Sequence, residues 1–131
     1  MKGCDLILSS LDTFATREGD PAPGIYARLF AAHPELEALF LMDTDGGVRG
    51  SMLQQAFECL IDVAEGGRMA GVVLGAERVN HESYGVPDNL FDAFFLAIRD
   101  SVKASLADDW TAETSAAWTR LLARAGQASY R

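Results

Sequence analysis

The chain is poor in the residues that build most catalytic and metal sites. It has two histidines, His33 and His81, and two cysteines, Cys4 and Cys59, in 131 residues. Cysteines so far apart, in no C-x-x-C arrangement, exclude a disulfide framework and a zinc knuckle, and a zinc centre wants three or four converging ligands. Positive charge is scarce as well: 11 Lys and Arg against 19 Asp and Glu leave a formal charge of −8. That balance argues against a nucleic-acid partner held through its phosphates and against anionic membranes, which attract basic patches. No uninterrupted apolar run reaches the roughly 18 residues of a membrane span. The opening "MKGCDLILSSLDTF" is a poor signal peptide, because serines and Asp12 break its apolar run. A soluble, cytoplasmic protein is expected. Familiar motifs are missing too. "RGSML" offers Gly50 and Ser51 but neither the second glycine nor the preceding strand of a nucleophile elbow. "MDTDGG" lacks the final carboxylate of a calcium loop, and no glycine-rich phosphate loop follows a strand.

What the chain does have is apolar residues, 49% of the total and seven of them phenylalanine, arranged with a helical period. Length and composition suit one domain spanning residues 1–131 with a single core. Leu6, Ile7, Leu8, Leu11, Phe14 and Ala15 predict a first helix that ends before the corner "REGDPAPG". From Gly24, Ile25, Tyr26, Leu29 and Phe30 share a face until His33-Pro34 breaks the helix. "PELEALF" is a short helix opened by its proline, and "LMDTDGG" is a loop. Met52/Leu53, Ala56/Phe57, Leu60/Ile61 and Ala64 mark a helix from about Val48 to Glu65, ended by Gly66-Gly67. "RMAGVVLGAERVNHE" is taken as a helix weakened by Gly71 and Gly75, since Val72-Val73-Leu74 has no partner strand nearby. After "YGVPDN", with Asp88 or Asn89 as cap, Leu90/Phe91, Phe94/Phe95, Ile98, Val102 and Leu106 form a buried stripe. Thr111 caps a last helix that buries Ala117/Trp118, Leu121/Leu122 and Ala125. The fold class is all-α, with six to eight helices.

A lone histidine in such a protein is by default structural, and His33, beside Pro34 at a helix corner, fits that reading. His81 differs. It ends a helix, a glycine turn follows within five residues, and apolar helices flank it on both sides. It either caps the helix end or ligates a metal. One chemistry needs only a single protein ligand: haem iron, whose porphyrin supplies four nitrogens while an apolar slot holds the ring.

From about Ile25 to Ala125 the chain resembles the globin family, within it the bacterial single-domain globins and the haem domains of flavohaemoglobins. "IYARLFAAHPELEALF" (25–40) is similar to their B-to-C-helix stretch, "RGSML" (49–53) to the start of the E helix, and "HESYGVP" (81–87) to the proximal motif, while Trp118 falls where many carry an H-helix tryptophan. The resemblance implies a single globin-like domain with a 3-on-3 helical fold, binding haem b. It implies His81 as proximal iron ligand and Phe40 stacked on the haem edge. Tyr26 is expected to aim its hydroxyl into the distal pocket and Leu53 to cover the iron. Arg49 takes the distal position, and Val86, Phe91 and Phe94 pack on the porphyrin.

Some positions depart from the family pattern. Arg49 replaces a distal His or Gln and can swing out to a propionate. Glu77 is polar where an apolar residue usually packs. Phe91 stands where flavohaemoglobins carry a tyrosine, and no counterpart of their last-helix glutamate follows Trp118, so a weak proximal push is expected. The resemblance thus implies reversible binding of O₂, NO or CO, for oxygen binding and transport or for gas sensing. Without a flavin or NAD domain, nitric oxide dioxygenation needs an external reductase. A homodimer through the G and H helices is a further expectation. The alternative is a haem-free globin-like sensory or interaction domain, its slot filled by side chains such as Phe57 and Phe94.

Overall fold

The computed structural model describes residues 2–83, 85–86 and 88–128, without the side chains of Lys2, Asp88, Asn89, Gln127 and Ala128. Tyr84 and Pro87 of the proximal motif, and the cap expected from Asp88 or Asn89, lie outside the described set. Among the described residues there are six α-helices: α1 (Lys2–Glu18), α2 (Ala22–Ala32), α3 (Gly47–Ala64), α4 (Met69–Ser83), α5 (Asp88–Leu106) and α6 (Ala112–Ala128). Short 3₁₀ turns lie at Pro34–Phe40 and Ala107–Asp109, and there is no strand among the described residues.

The first corner is tighter than its two prolines and two glycines suggest. Helix α1 runs on to Glu18 and stops at Gly19, which takes the left-handed conformation. Helix α2 already starts at Ala22, with Pro23 inside its first turn. A proline there removes an N–H that has no helical partner in any case, so it costs nothing. Asp20 accepts from the Ala22 N–H at 3.1 Å and satisfies one of the others.

Helix α4 is continuous through Gly71 and Gly75. Its end explains the glycine after His81. Gly85 sits at φ +87°, its N–H donates to the Glu82 carbonyl at 3.0 Å, and the Val86 N–H donates to the His81 carbonyl at 2.9 Å. This is a Schellman motif, in which the left-handed residue is favoured to be glycine. Val86, just past the turn, is buried. Helix α3 ends the same way, with Gly67 and Gly66 donating to the Asp62 and Val63 carbonyls. The Asp62 carboxylate then accepts from the Ala70 N–H at 2.8 Å and caps α4.

Helix α1 packs on α5 and α6, α2 on α5, α3 on α4, and α4 on α6. The fully buried centre holds Ile7, Ile25, Leu60, Ile98, Val102, Trp118 and Leu121. One polar link crosses it: the Trp118 indole N–H donates to Ser10 Oγ at 3.0 Å, and Ser10 in turn donates to the Ile7 carbonyl. Thr111 caps α6 as expected, its Oγ1 accepting from the Thr114 N–H at 3.0 Å. No helix among the described residues is long and apolar enough to cross a membrane.

Candidate functional site

Between α3 and α4, closed on one side by α5, lies a cavity of about 510 Å³, within the roughly 300–1,000 Å³ of ligand pockets. Each element contributes a strip of wall. The first 3₁₀ turn gives Leu36, Leu39 and Phe40, and α3 gives Val48, Met52, Gln55, Ala56 and Cys59. Helix α4 gives Val73, Leu74, Glu77 and His81, the turn gives Val86, and α5 gives Leu90, Phe91, Phe94 and Phe95. Five of the expected site residues therefore meet on one surface: Phe40, His81, Val86, Phe91 and Phe94.

His81 occupies the last turn of α4 with its side chain 23% exposed. Its Nδ1 lies 2.7 Å from the Glu77 carbonyl oxygen, one turn back. A carbonyl can only accept, so Nδ1 is a donor, and in the neutral ring this leaves the lone pair on Nε2, the form in which imidazole binds a metal. The ring meets Phe91 edge-on at 5.2 Å between centroids. Behind Phe91, the Arg78 guanidinium lies 4.8 Å from that ring's centre and pairs with Asp92 at 2.5 Å. The Glu77 carboxylate also faces the histidine, with Oε2 3.6 Å from Nδ1.

The structure places the other expected residues away from the cavity wall. Tyr26 is not on the cavity wall. It lies behind it, in an aromatic cluster with Phe30, Phe40 and Phe94 at 5.6–5.8 Å. Its hydroxyl donates to the main-chain carbonyl of Arg49 at 2.9 Å. Burial pushes the phenol well above the usual tyrosine range, an effect the Arg49 charge partly offsets and Asp43 adds to. The group therefore stays protonated, and its single proton is already given to a carbonyl. Arg49 also points elsewhere: its Nε donates to Asp43 Oδ2 at 3.0 Å and its Nη2 to the Asp43 carbonyl at 2.9 Å. Asp43 in turn accepts from the Val48 and Arg49 N–H groups in the first turn of α3. The Arg49 N–H is the main cause holding the Asp43 carboxyl below the usual carboxylate range.

Leu53 and Phe57 are off the wall for a different reason. Successive helical residues turn by about 100°, and the roll of α3 sets the edge of the cavity between Met52 and Leu53. The cavity takes Val48, Met52, Gln55, Ala56 and Cys59, while Leu53, Leu60, Val63 and Ala64 go to the core. Phe57 packs against that core as well. The missed residues left one trace in the sequence: the apolar stripe of α3 is wider than a single face needs. Cys59 is buried, and burial first, then Asp62, Glu58 and Glu77, push its thiol up.

Among the described residues no three His, Cys, Asp or Glu side chains cluster in a way that holds a metal ion. A single imidazole with a free Nε2, on walls that are mostly Leu, Phe and Val, fits an apolar group that already carries its metal. Comparison with curated proteins and with solved structures returns no match. The family model of globins matches residues 23–129, most of the chain and every described residue that lines the cavity. Taken with the all-α architecture, this match means that the chain belongs to the globin family.

Proposed function

We propose that this globin is of the bacterial single-domain type, holds haem b in the cavity and binds a diatomic gas reversibly, with His81 as the proximal ligand. The observation that supports the reading is the hydrogen bond from Nδ1 to the Glu77 carbonyl in a histidine that lines the cavity, which directs a metal to Nε2. Haem, when bound, supplies the iron that takes up O₂, NO or CO. The chain's own residues do the rest. The Glu77 carbonyl and the Phe91 edge orient the imidazole, while Phe40, Val86 and Phe94 line the slot and exclude water. Tyr26 braces the start of α3 through Arg49, which leaves Gln55 as the amide that faces the cavity from that helix. Turnover of nitric oxide requires electrons from a reductase.

The competing reading is a haem-free sensory or interaction domain, favoured by the Glu77 carboxylate on a mostly apolar wall. The ultraviolet-visible spectrum of haem-supplied wild type and His81→Ala separates the two. Haem binding at His81 gives a sharp Soret band that shifts with CO in the ferrous wild type and collapses in the variant. A broad band alike in both proteins rejects it in favour of the haem-free domain.

A further inference from the structure

The Glu77 carboxylate faces His81, and the hydrogen bond that orients the ring uses only the carbonyl of that residue. Its Oε2 stands 3.6 Å from Nδ1, too far for a hydrogen bond but in direct electrostatic contact. The neutral carbonyl of the same residue takes the proton at 2.7 Å. The imidazole N–H thus faces two acceptors from a single residue, one of them anionic. The Arg78 cation lies over the Phe91 ring and pairs with Asp92 at 2.5 Å, so it offsets the carboxylate little. The Glu77 side chain is half-buried at 31% exposure, so solvent screens it less than a surface charge.

We propose that Glu77 is a positioning residue that makes His81 a more electron-donating ligand, replacing with its own carboxylate the proximal push that Phe91 cannot provide. Carboxylates facing the N–H of a ligating histidine raise its basicity. A fixed negative charge at this distance also stabilises the more positive, ferric state of a metal on the far nitrogen. This inference rests on the haem reading and goes beyond it, because a weak push is what the absence of a tyrosine at Phe91 implies.

The test is a spectroelectrochemical titration of the haem-loaded protein, with the iron–histidine stretch of the ferrous form recorded alongside. The variants are Glu77→Gln, which keeps shape and removes charge, and Glu82→Gln, which removes the same charge from an exposed site on the same helix end. Glu77→Gln is expected to raise the ferrous-to-ferric ratio at fixed potential about tenfold, or about 59 mV for a one-electron couple, and to lower the stretching frequency. Glu82→Gln is expected to move neither. An unchanged potential and stretch in Glu77→Gln, or an equal shift in both variants, overturns the proposal. If wild type itself shows no CO-sensitive Soret band, the haem reading fails and this inference with it.

Discussion

Tyr26 carries the largest difference between what its position suggests and what its atoms do. A tyrosine on the second helix of a globin-like chain is expected to donate to a bound gas, yet a phenol has one proton and Tyr26 gives it to the Arg49 carbonyl. Tyr26→Phe should therefore cost about 1 kcal/mol of stability, the net worth of one such bond, and leave the O₂ dissociation rate of the haem-loaded protein within a few-fold of wild type. An increase of tenfold or more in stopped-flow measurements shows instead that the hydroxyl turns into the cavity. The same residue has a pH signature. Its folded-state pKa is raised, so its contribution to stability is full below the unfolded tyrosine value of about 10 and falls as pH rises beyond it. Chemical denaturation of wild type above pH 10 should lose stability more steeply than that of Tyr26→Phe. His81 and Phe91 were legible as site residues because a histidine before a glycine turn is a local pattern. That Leu53 and Phe57 lie off the wall was not legible, because choosing between adjacent residues on α3 depends on how that helix rolls against its neighbours.

At the scale of elements, the end of α4 does more for the site than any single side chain. The Schellman turn at Gly85 fixes where His81 stands and brings Val86 onto the cavity wall. Nothing lies within 4 Å of a methyl group added at Gly85, so Gly85→Ala meets no clash. Its cost is the left-handed backbone alone, roughly 1–2 kcal/mol. Equilibrium unfolding should show that loss, and haem retention should weaken with it as Val86 shifts. A variant as stable as wild type shows that the turn can be rebuilt without glycine. The helix of residues 69–83 was readable despite its two internal glycines, since no strand was available to pair with its apolar run. The start of α2 was not, because a proline cluster reads as a corner whether or not it opens a helix.

For the whole molecule, a cavity of about 510 Å³ in a 131-residue chain leaves apolar side chains without packing partners on one side. A group that fills it stabilises the fold by linkage. Haem at about 100 times its Kd is expected to add about 2.7 kcal/mol, an upward Tm shift on the order of 10 °C for a domain of this size. Differential scanning calorimetry of the apo and haem-supplied protein measures it. An unchanged Tm favours the haem-free domain.

The sequence by itself determined the helical class, most helix boundaries, and the histidine, turn and phenylalanines that meet at the cavity. Each of these depends on a local period, a breaker, or a motif that acts within one or two turns of helix. The tertiary structure alone decided which face of α3 lines the cavity, where the Tyr26 proton goes, and that Arg49 is held by Asp43. Those outcomes depend on contacts between groups far apart in space until the helices pack, and a one-residue roll of α3 is enough to exchange Leu53 for Met52.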